Sequence, residues 1–394
     1  MSRFALTDPI PRLLLGASLA LLPLVTAWNL AVVPSREIRI GPKLGGVTRE
    51  APVTMSWSSL RDGSLQKAVA SRLTEAFAFR PLLIRINNEI RFGLFGTPTA
   101  PQLVSGRKGH LIGKNYLDEY CSRTEGQGAM LAAAIIPKLR AIQDYYRGRG
   151  GVFVYMVSPS KAAHLPEHFL DRLSCPSTPA ARAQLVPQYV NALKDSGINV
   201  LDGADLIHGL KGRYEVDLFP QGGEHWNDLG GALVVSALVK EINTQAGREI
   251  VPPFTFAYTL SRPAGGADRE LADLLNVFFP PLGYLTPKVQ YVQSTPCGQG
   301  GGSARTLDAA IVGSSFGHLP ASILIEHNCL SALNLYYYAR LGRFGGVPYR
   351  ELQRDLGDND LAALRNVKLM IIEENEFLIG RFSYVDEVLK VVGR

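Results

Sequence analysis

The sequence predicts an α/β fold built on a central, mostly parallel sheet and preceded by an N-terminal membrane segment. Three observations predict it. Apolar runs of strand length end in polar loops at Gly150–Lys161, Ile198–Asp202, Leu307–Phe316 and Val367–Glu374. Helical stretches alternate with them, and the Leu13–Val33 segment is apolar or small throughout, without a charge. Strands covered on both faces read as continuous apolar runs, and strand–helix alternation places helices over both faces of a parallel sheet.

The N-terminal run, LLLGASLALLPLVTAWNLAVV, follows Arg3 and Arg12. About twenty such residues span a ~30 Å hydrocarbon layer as a helix. Val25-Thr26-Ala27 offers a small-residue cleavage site, but the apolar stretch continues past it to Val33, as an uncleaved signal-anchor does. Arg36, Arg39 and Lys43 rival the leading arginines, so charge alone does not orient the segment. The four cysteines, Cys121, Cys175, Cys297 and Cys329, have no CxxC or Cys/His spacing. Zinc is therefore not expected of them, and one or two disulfides in an oxidising compartment are, with three full pairings open.

Beyond a linker from Pro34 to Pro52, helical periodicity runs from Ser64 to Phe92, where Pro81 should break or kink it. Val104–Ile112 reads as a hairpin and Ala129–Gln143 as a helix. The alternating part then begins: strand at Gly150–Lys161, helix at Ala180–Lys194, strand at Ile198–Asp202, helix at Asp228–Asn243. A Pro- and Gly-rich insertion occupies about 251–303, before the strands at Leu307–Phe316 and Val367–Glu374. The expected organisation is a cytoplasmic tail, signal-anchor and linker over 1–40, a helical lead-in over 41–103, and the α/β domain over 104–394. No repeat of solenoid or propeller length is present.

Composition narrows the function. In 394 residues, 46% are hydrophobic and 19% charged, and the net charge of +6 is spread without a basic run. That excludes an electrostatic nucleic-acid footprint and a disordered chain. The 39 Gly and 25 Pro suit a loop-rich globular protein.

Ligands of open α/β sheets collect beyond the carboxyl ends of the strands. Three sequence segments fall there. Gly313-Ser314-Ser315-Phe316 ends a strand on a turn that exposes a hydroxyl and aims backbone N–H groups at one point. Gly222-Gly-Glu-His-Trp-Asn-Asp228 puts His225 in a Gly-rich loop beside Trp226 at a helix start, as a general base requires, with Asn227 or Asp228 as the helix cap. Ser158-Pro-Ser-Lys161 ends a third strand, and Lys161 there either binds an anion or faces water.

The segments Phe77–Gly96, Val104–Gly113, Val154–Glu167, Gly223–Leu233, Ile311–Phe316 and Leu369–Glu376, in this order, resemble the SGNH-hydrolase-like family of alginate O-acetylation proteins of the AlgX and AlgJ type. The resemblance implies a three-layer SGNH-like fold. It also implies a periplasmic, often inner-membrane-anchored acyltransferase that moves acetyl groups onto hydroxyls of an exported polysaccharide, with a membrane-bound O-acyltransferase as acetyl source. The family's Gly-x-Ser-[Phe/Tyr] turn assigns Ser315 as nucleophile, with Gly313 and Ser314 in the oxyanion turn. Its Asp-x-His-Trp motif assigns His225 as base, and Trp226 and Lys161 are candidates for substrate contact. No metal or soluble cofactor is required.

The motif acid is missing: Gly223 stands in its place. Glu224 adjoins His225, but neighbouring side chains in an extended loop point to opposite sides. Asp217, Glu224, Asp228 or a backbone carbonyl is left to orient the imidazole, or the site is a Ser–His dyad. Acyl transfer to sugar, hydrolysis by a carbohydrate esterase, and a non-catalytic polysaccharide-binding or scaffold role all follow from these alternatives.

Overall fold

The computed structural model describes residues 9–47, 54–170, 175–293, 307–327, 330, 332–338, 340–344, 350–351, 358–381 and 383–393. Cys297 and Cys329 lie outside them. The chain divides into two compact units, Met1–Ala100 with Ala272–Pro280, and Pro101–Leu271 with Pro281–Arg394.

In the first unit the apolar N-terminal segment forms the helix Pro9–Ala31. Among the described residues no helix is long and apolar enough to cross a membrane. Buried Asn29 fixes the end of this helix: its amide donates to the Ile38 and Ala76 carbonyls at 2.9 and 2.8 Å and accepts from Ile38 N–H at 2.7 Å. The expected single helix over Ser64–Phe92 is two, Ser64–Ala76 and Arg80–Phe95. Phe77 is extended between them, and Pro81 lies in the first turn of the second helix, where its missing N–H costs nothing.

Among the described residues the second unit has eleven strands in three sheets. A hairpin pairs β1 (Leu103–Ser105) with β2 (Leu111–Gly113), antiparallel, as the sequence predicts. The central sheet takes β3 (Val152–Ser158) and β4 (Val200–Asp202). A second hairpin, β5 (Phe254–Ser261) with β6 (Thr286–Gln293), stands inside the region read as an insertion. The remaining strands are β7 (Asp308–Gly313), β8 (Ala332–Tyr337), β9 (Arg340–Phe344), β10 (Arg350–Glu351) and β11 (Leu369–Asn375). The central sheet is seven-stranded in the order β10-β9-β8-β7-β11-β3-β4. From β8 to β4 every neighbour is parallel, and β9 and β10 add an antiparallel edge.

Residue alternation explains why the inner strands read as unbroken apolar runs. In β3, Val152, Val154 and Met156 enter one core, with helices Asp228–Ala246 and His318–His327, while Phe153, Tyr155 and Val157 enter the other, under helices Gln127–Arg147, Pro179–Asp195 and Ser383–Val392. Strand β11 divides likewise, Leu369 and Ile371 against Met370 and Ile372. Each such side chain contributes roughly 1.5–3 kcal/mol on burial, and the two cores fix the register that brings the ends of β7, β11 and β3 together. The disulfide Cys121–Cys175 closes a separation of 54 residues, one of the pairings left open by the sequence.

Candidate active site

Ser315 opens a one-turn 3-10 segment, Ser315–Gly317, directly after β7. The turn is set by what lies beneath it. Glu373, on neighbouring β11, is fully buried and accepts Ser314 N–H at 2.7 Å with one oxygen and the Ser158 hydroxyl with the other. A Cβ at position 313 would lie 2.2 Å from the Glu373 carbonyl oxygen and 2.6 Å from its carboxylate, so β7 approaches this closely only with glycine there.

His225 sits on the loop before helix Asp228–Ala246. Asn227 caps that helix, accepting Gly230 N–H at 3.0 Å, while its amide donates to the Asp217 carbonyl at 2.8 Å. The loop is also held from below by Lys161. Its ammonium is wholly buried and donates to the carbonyls of Leu111, Pro220, Gln221 and Gly223 at 2.7, 2.6, 3.1 and 2.6 Å. Lys161 therefore neither faces water nor meets an anionic substrate; it binds the β2 hairpin to the histidine loop. Burial lowers its pKa, against the attraction of Glu224, whose own pKa burial raises against Lys161.

Ser315 and His225, 90 positions apart, meet: Ser315 Oγ is 2.7 Å from His225 Nε2. On the other side of the ring, Nδ1 is 2.6 Å from Oε1 of Glu270, which no sequence argument had singled out. The same Glu270 oxygen accepts the backbone N–H groups of Glu224 at 2.9 Å and His225 at 3.2 Å. With the carboxylate on Nδ1–H, the free lone pair of Nε2 faces the serine hydroxyl. Burial would lower the His225 pKa, but the hydrogen bond and charge of Glu270, with Glu224 and Glu373, outweigh it and leave the pKa raised. Burial likewise pushes Glu270 up, yet its bonds to the imidazole and to the two amides leave it lowered. The ring stays in reach of solvent, with 21% of the His225 side chain and 32% of Glu270 exposed.

Gly223 explains how this carboxylate arrives. A Cβ there would lie 2.5 Å from the Ala267 carbonyl and 2.8 Å from Pro220 Cγ. The backbone of the turn Gly266–Arg269, which leads into Glu270, fills the space that the motif's aspartate would need. The acid is thus supplied from another part of the chain.

The other expected acids serve elsewhere. Asp217 faces His110, Nε2 to Oδ2 at 3.6 Å. Glu224 is buried and accepts Gly113 N–H at 2.6 Å. Asp228 lies in the first turn of its helix on the wall of the cleft, its pKa raised by burial against Lys288. Trp226 is 2% exposed and makes a T-shaped contact with Phe316 at 5.4 Å that braces the serine turn, and it also lines the cleft over the site. The oxyanion expectation also shifts. Ser314 N–H is taken by Glu373, Phe316 N–H by Ser314 Oγ at 3.2 Å, and Gly317 N–H by the Ser314 carbonyl at 3.1 Å. The Ser315 amide has no partner among the described residues.

A cleft of about 390 Å³ opens over Ser315, His225 and Glu270, walled by Asp228, Gly265–Asp268, Lys288, His318 and Leu319. Burial and the charge of Asp228 push Asp268 up to about 7. Serine, histidine and glutamate in this order of contact have the geometry in which a hydroxyl can serve as nucleophile, an imidazole as base and a carboxylate as its orienting acid.

No protein-family model and no curated protein matches the chain. Among solved structures it is similar to the O-acetyltransferase domain of Pseudomonas putida AlgJ, at 17% identity and TM-score 0.46, covering 74% of this chain and 99% of that one. It is similar also to Pseudomonas aeruginosa AlgX, at 16% identity and TM-score 0.43, covering 74% of this chain and 65% of that one. A third is Bacillus cereus PatB1 carrying a sulfonyl adduct, at 8% identity and TM-score 0.42, covering 72% and 99%.

Proposed function

We propose that this protein is a serine O-acyltransferase that moves acetyl groups onto hydroxyls of an exported polysaccharide through Ser315, His225 and Glu270. The single observation that carries the reading is the imidazole of His225 bonded at once to the Ser315 hydroxyl and the Glu270 carboxylate, at 2.7 and 2.6 Å, on the floor of an open cleft.

Ser315 Oγ attacks the acetyl carbonyl while its proton passes to His225 Nε2. Glu270 holds the ring's tautomer and stabilises the imidazolium. The oxyanion of the tetrahedral intermediate is met by the Ser315 amide. His225 returns the proton to the leaving group of the donor, and acetyl-Ser315 remains. A sugar hydroxyl then gives its proton to His225 as its oxygen attacks the acyl carbon, and His225 passes that proton to Ser315 Oγ as the acyl–serine bond breaks, releasing acetylated polymer and the free serine. No metal or soluble cofactor enters these steps.

In the same reading the body lies in the periplasm, tethered to the inner membrane through the apolar sequence run Leu13–Val33, part of which lies in the helix Pro9–Ala31. A membrane-bound O-acyltransferase presents the acetyl group. Exposed Leu21, Leu24 and Trp28 on that helix and the disulfide Cys121–Cys175 support this location. Protease added to spheroplasts should digest the body, and Cys121 and Cys175 should resist alkylation until reductant is added. Protection from protease would place the body in the cytoplasm.

The enzymatic reading is tested with p-nitrophenyl acetate as donor. Mass spectrometry should find one acetyl group on the peptide containing Ser315, and adding polysaccharide should transfer it to the polymer. Release to water alone, with no acceptor acetylated across a panel of polysaccharides, makes the protein an esterase. If no acyl-enzyme and no turnover appear, the site is not catalytic and a polysaccharide-binding scaffold replaces the proposal.

A further inference from the structure

A second constellation lies on the far side of the histidine loop and has no part in acyl transfer. His110, between the strands of the first hairpin, is 1% exposed, and His168, in the turn Pro166–His168, is 7% exposed. Their rings stack at 4.3 Å, and the Nδ1 atoms of both are buried without a hydrogen-bond partner. Two orphaned imidazole nitrogens in one place are costly, each on the order of 1–3 kcal/mol. Asp217 stands over the pair with its side chain 44% exposed, and one ligand atom from each of His110, His168 and Asp217 lies within 4.8 Å of the other two.

We infer that His110, His168 and Asp217 form a binding site for a divalent transition-metal cation such as Zn²⁺. Two neutral imidazoles and a carboxylate select borderline d-block ions over Mg²⁺ or Ca²⁺, which prefer all-oxygen shells. The protonation states agree. At neutral pH an ordinary imidazole is mostly neutral and an ordinary carboxylate ionised, the forms in which both bind a metal. The half-exposed Asp217 provides an entry path and the freedom to close on the ion by side-chain rotation, and water completes the shell. The ion would join three segments: the β1–β2 hairpin, the turn after β3, and the loop that carries His225. That loop already meets the hairpin through Leu111 N–H and the Gln221 carbonyl at 2.8 Å. The role is structural, independent of the acyl-transfer proposal.

The test uses the full chain, stripped with chelator and dialysed against micromolar Zn²⁺, with metal content measured directly. One equivalent should bind, Tm should rise by about 5 °C at hundredfold excess over Kd, and Co²⁺ should give the visible absorption of a low-coordinate His/carboxylate site. Asp217→Asn, at a half-exposed position that leaves the core intact, and His168→Gln should each weaken binding at least tenfold. His225→Gln should still bind one equivalent. Absence of saturable Zn²⁺ or Co²⁺ binding, or binding unchanged in both ligand variants, overturns the site.

Discussion

Glu270 Oε1 lies 2.6 Å from His225 Nδ1 across 45 residues of sequence, and it does so because Gly223 has no side chain. The Gly266–Arg269 turn packs where the aspartate of the resembled motif would stand, and carries its own carboxylate to the same ring nitrogen. The loss of one acid and the gain of another are a single packing event.

Glu270→Gln should lower the acylation rate about 10³–10⁴-fold, because the amide no longer enforces the tautomer in which Nε2 accepts. The pH profile gives the sign. With Glu270 in place the His225 pKa lies above its ordinary 6.5, and the acylation rate should rise as pH passes upward through it. In Glu270→Gln the acid limb should move to lower pH while the plateau falls. An unmoved limb would mean that the carboxylate does not act on the imidazole.

The same pair predicts a stability window. Raised His225 contributes stability fully present below its unfolded value of 6.5 and lost as pH rises through its folded pKa. Lowered Glu270 contributes stability present above its unfolded value of 4.5 and lost as pH falls through its folded pKa. Chemical denaturation of wild type and Glu270→Gln should therefore differ most between these two values and converge toward acid.

Ser315→Ala should abolish acyl-enzyme formation with little loss of stability. Ser314→Ala removes the acceptor of Phe316 N–H and should cost about 1 kcal/mol, as a lost cap does, while keeping acylation within a few-fold. A dead Ser314→Ala beside an active Ser315→Ala would put the nucleophile in the wrong register.

Gly223→Asp restores the motif acid on paper, but its Cβ meets the Ala267 carbonyl at 2.5 Å. It should destabilise by about 3 kcal/mol, at the upper end of overpacking costs, and lower the rate by displacing Glu270. Urea midpoints and burst amplitudes measure both; a stable, fully active variant would show that the turn yields.

Lys161→Met leaves its carbonyl partners and Glu224 without their buried cation. About 3–5 kcal/mol should be lost, as when a buried pair is broken from one side, and the surviving folded fraction should acylate slowly because the Gly223–His225 backbone is freed. An unchanged urea midpoint would show that the carbonyls find other donors.

The sequence by itself determined the sheet-and-helix plan and the two segments that meet. Continuous apolar runs mark strands such as β3, β7 and β11 because both faces are buried, and a strand ending in Gly-Ser-Ser-Phe or a loop ending in a helix cap is recognisable from neighbouring residues alone. Strands β8, β9 and β10 escaped it: the apolar run of β8 is short and broken by Asn334, and the edge strands β9 and β10 mix arginines and a glycine with few apolar residues, giving neither a continuous run nor a clean alternation. Tertiary structure alone decided Glu270, the burial of Lys161 and the bracing role of Trp226. Glu270 sits in a Gly-flanked stretch with no local signal, and its role comes from a contact between loops whose approach depends on the shape left by one missing Cβ. Hydrogen bonds between distant segments are set by packing distances of tenths of an ångström, which periodicity along a chain does not encode.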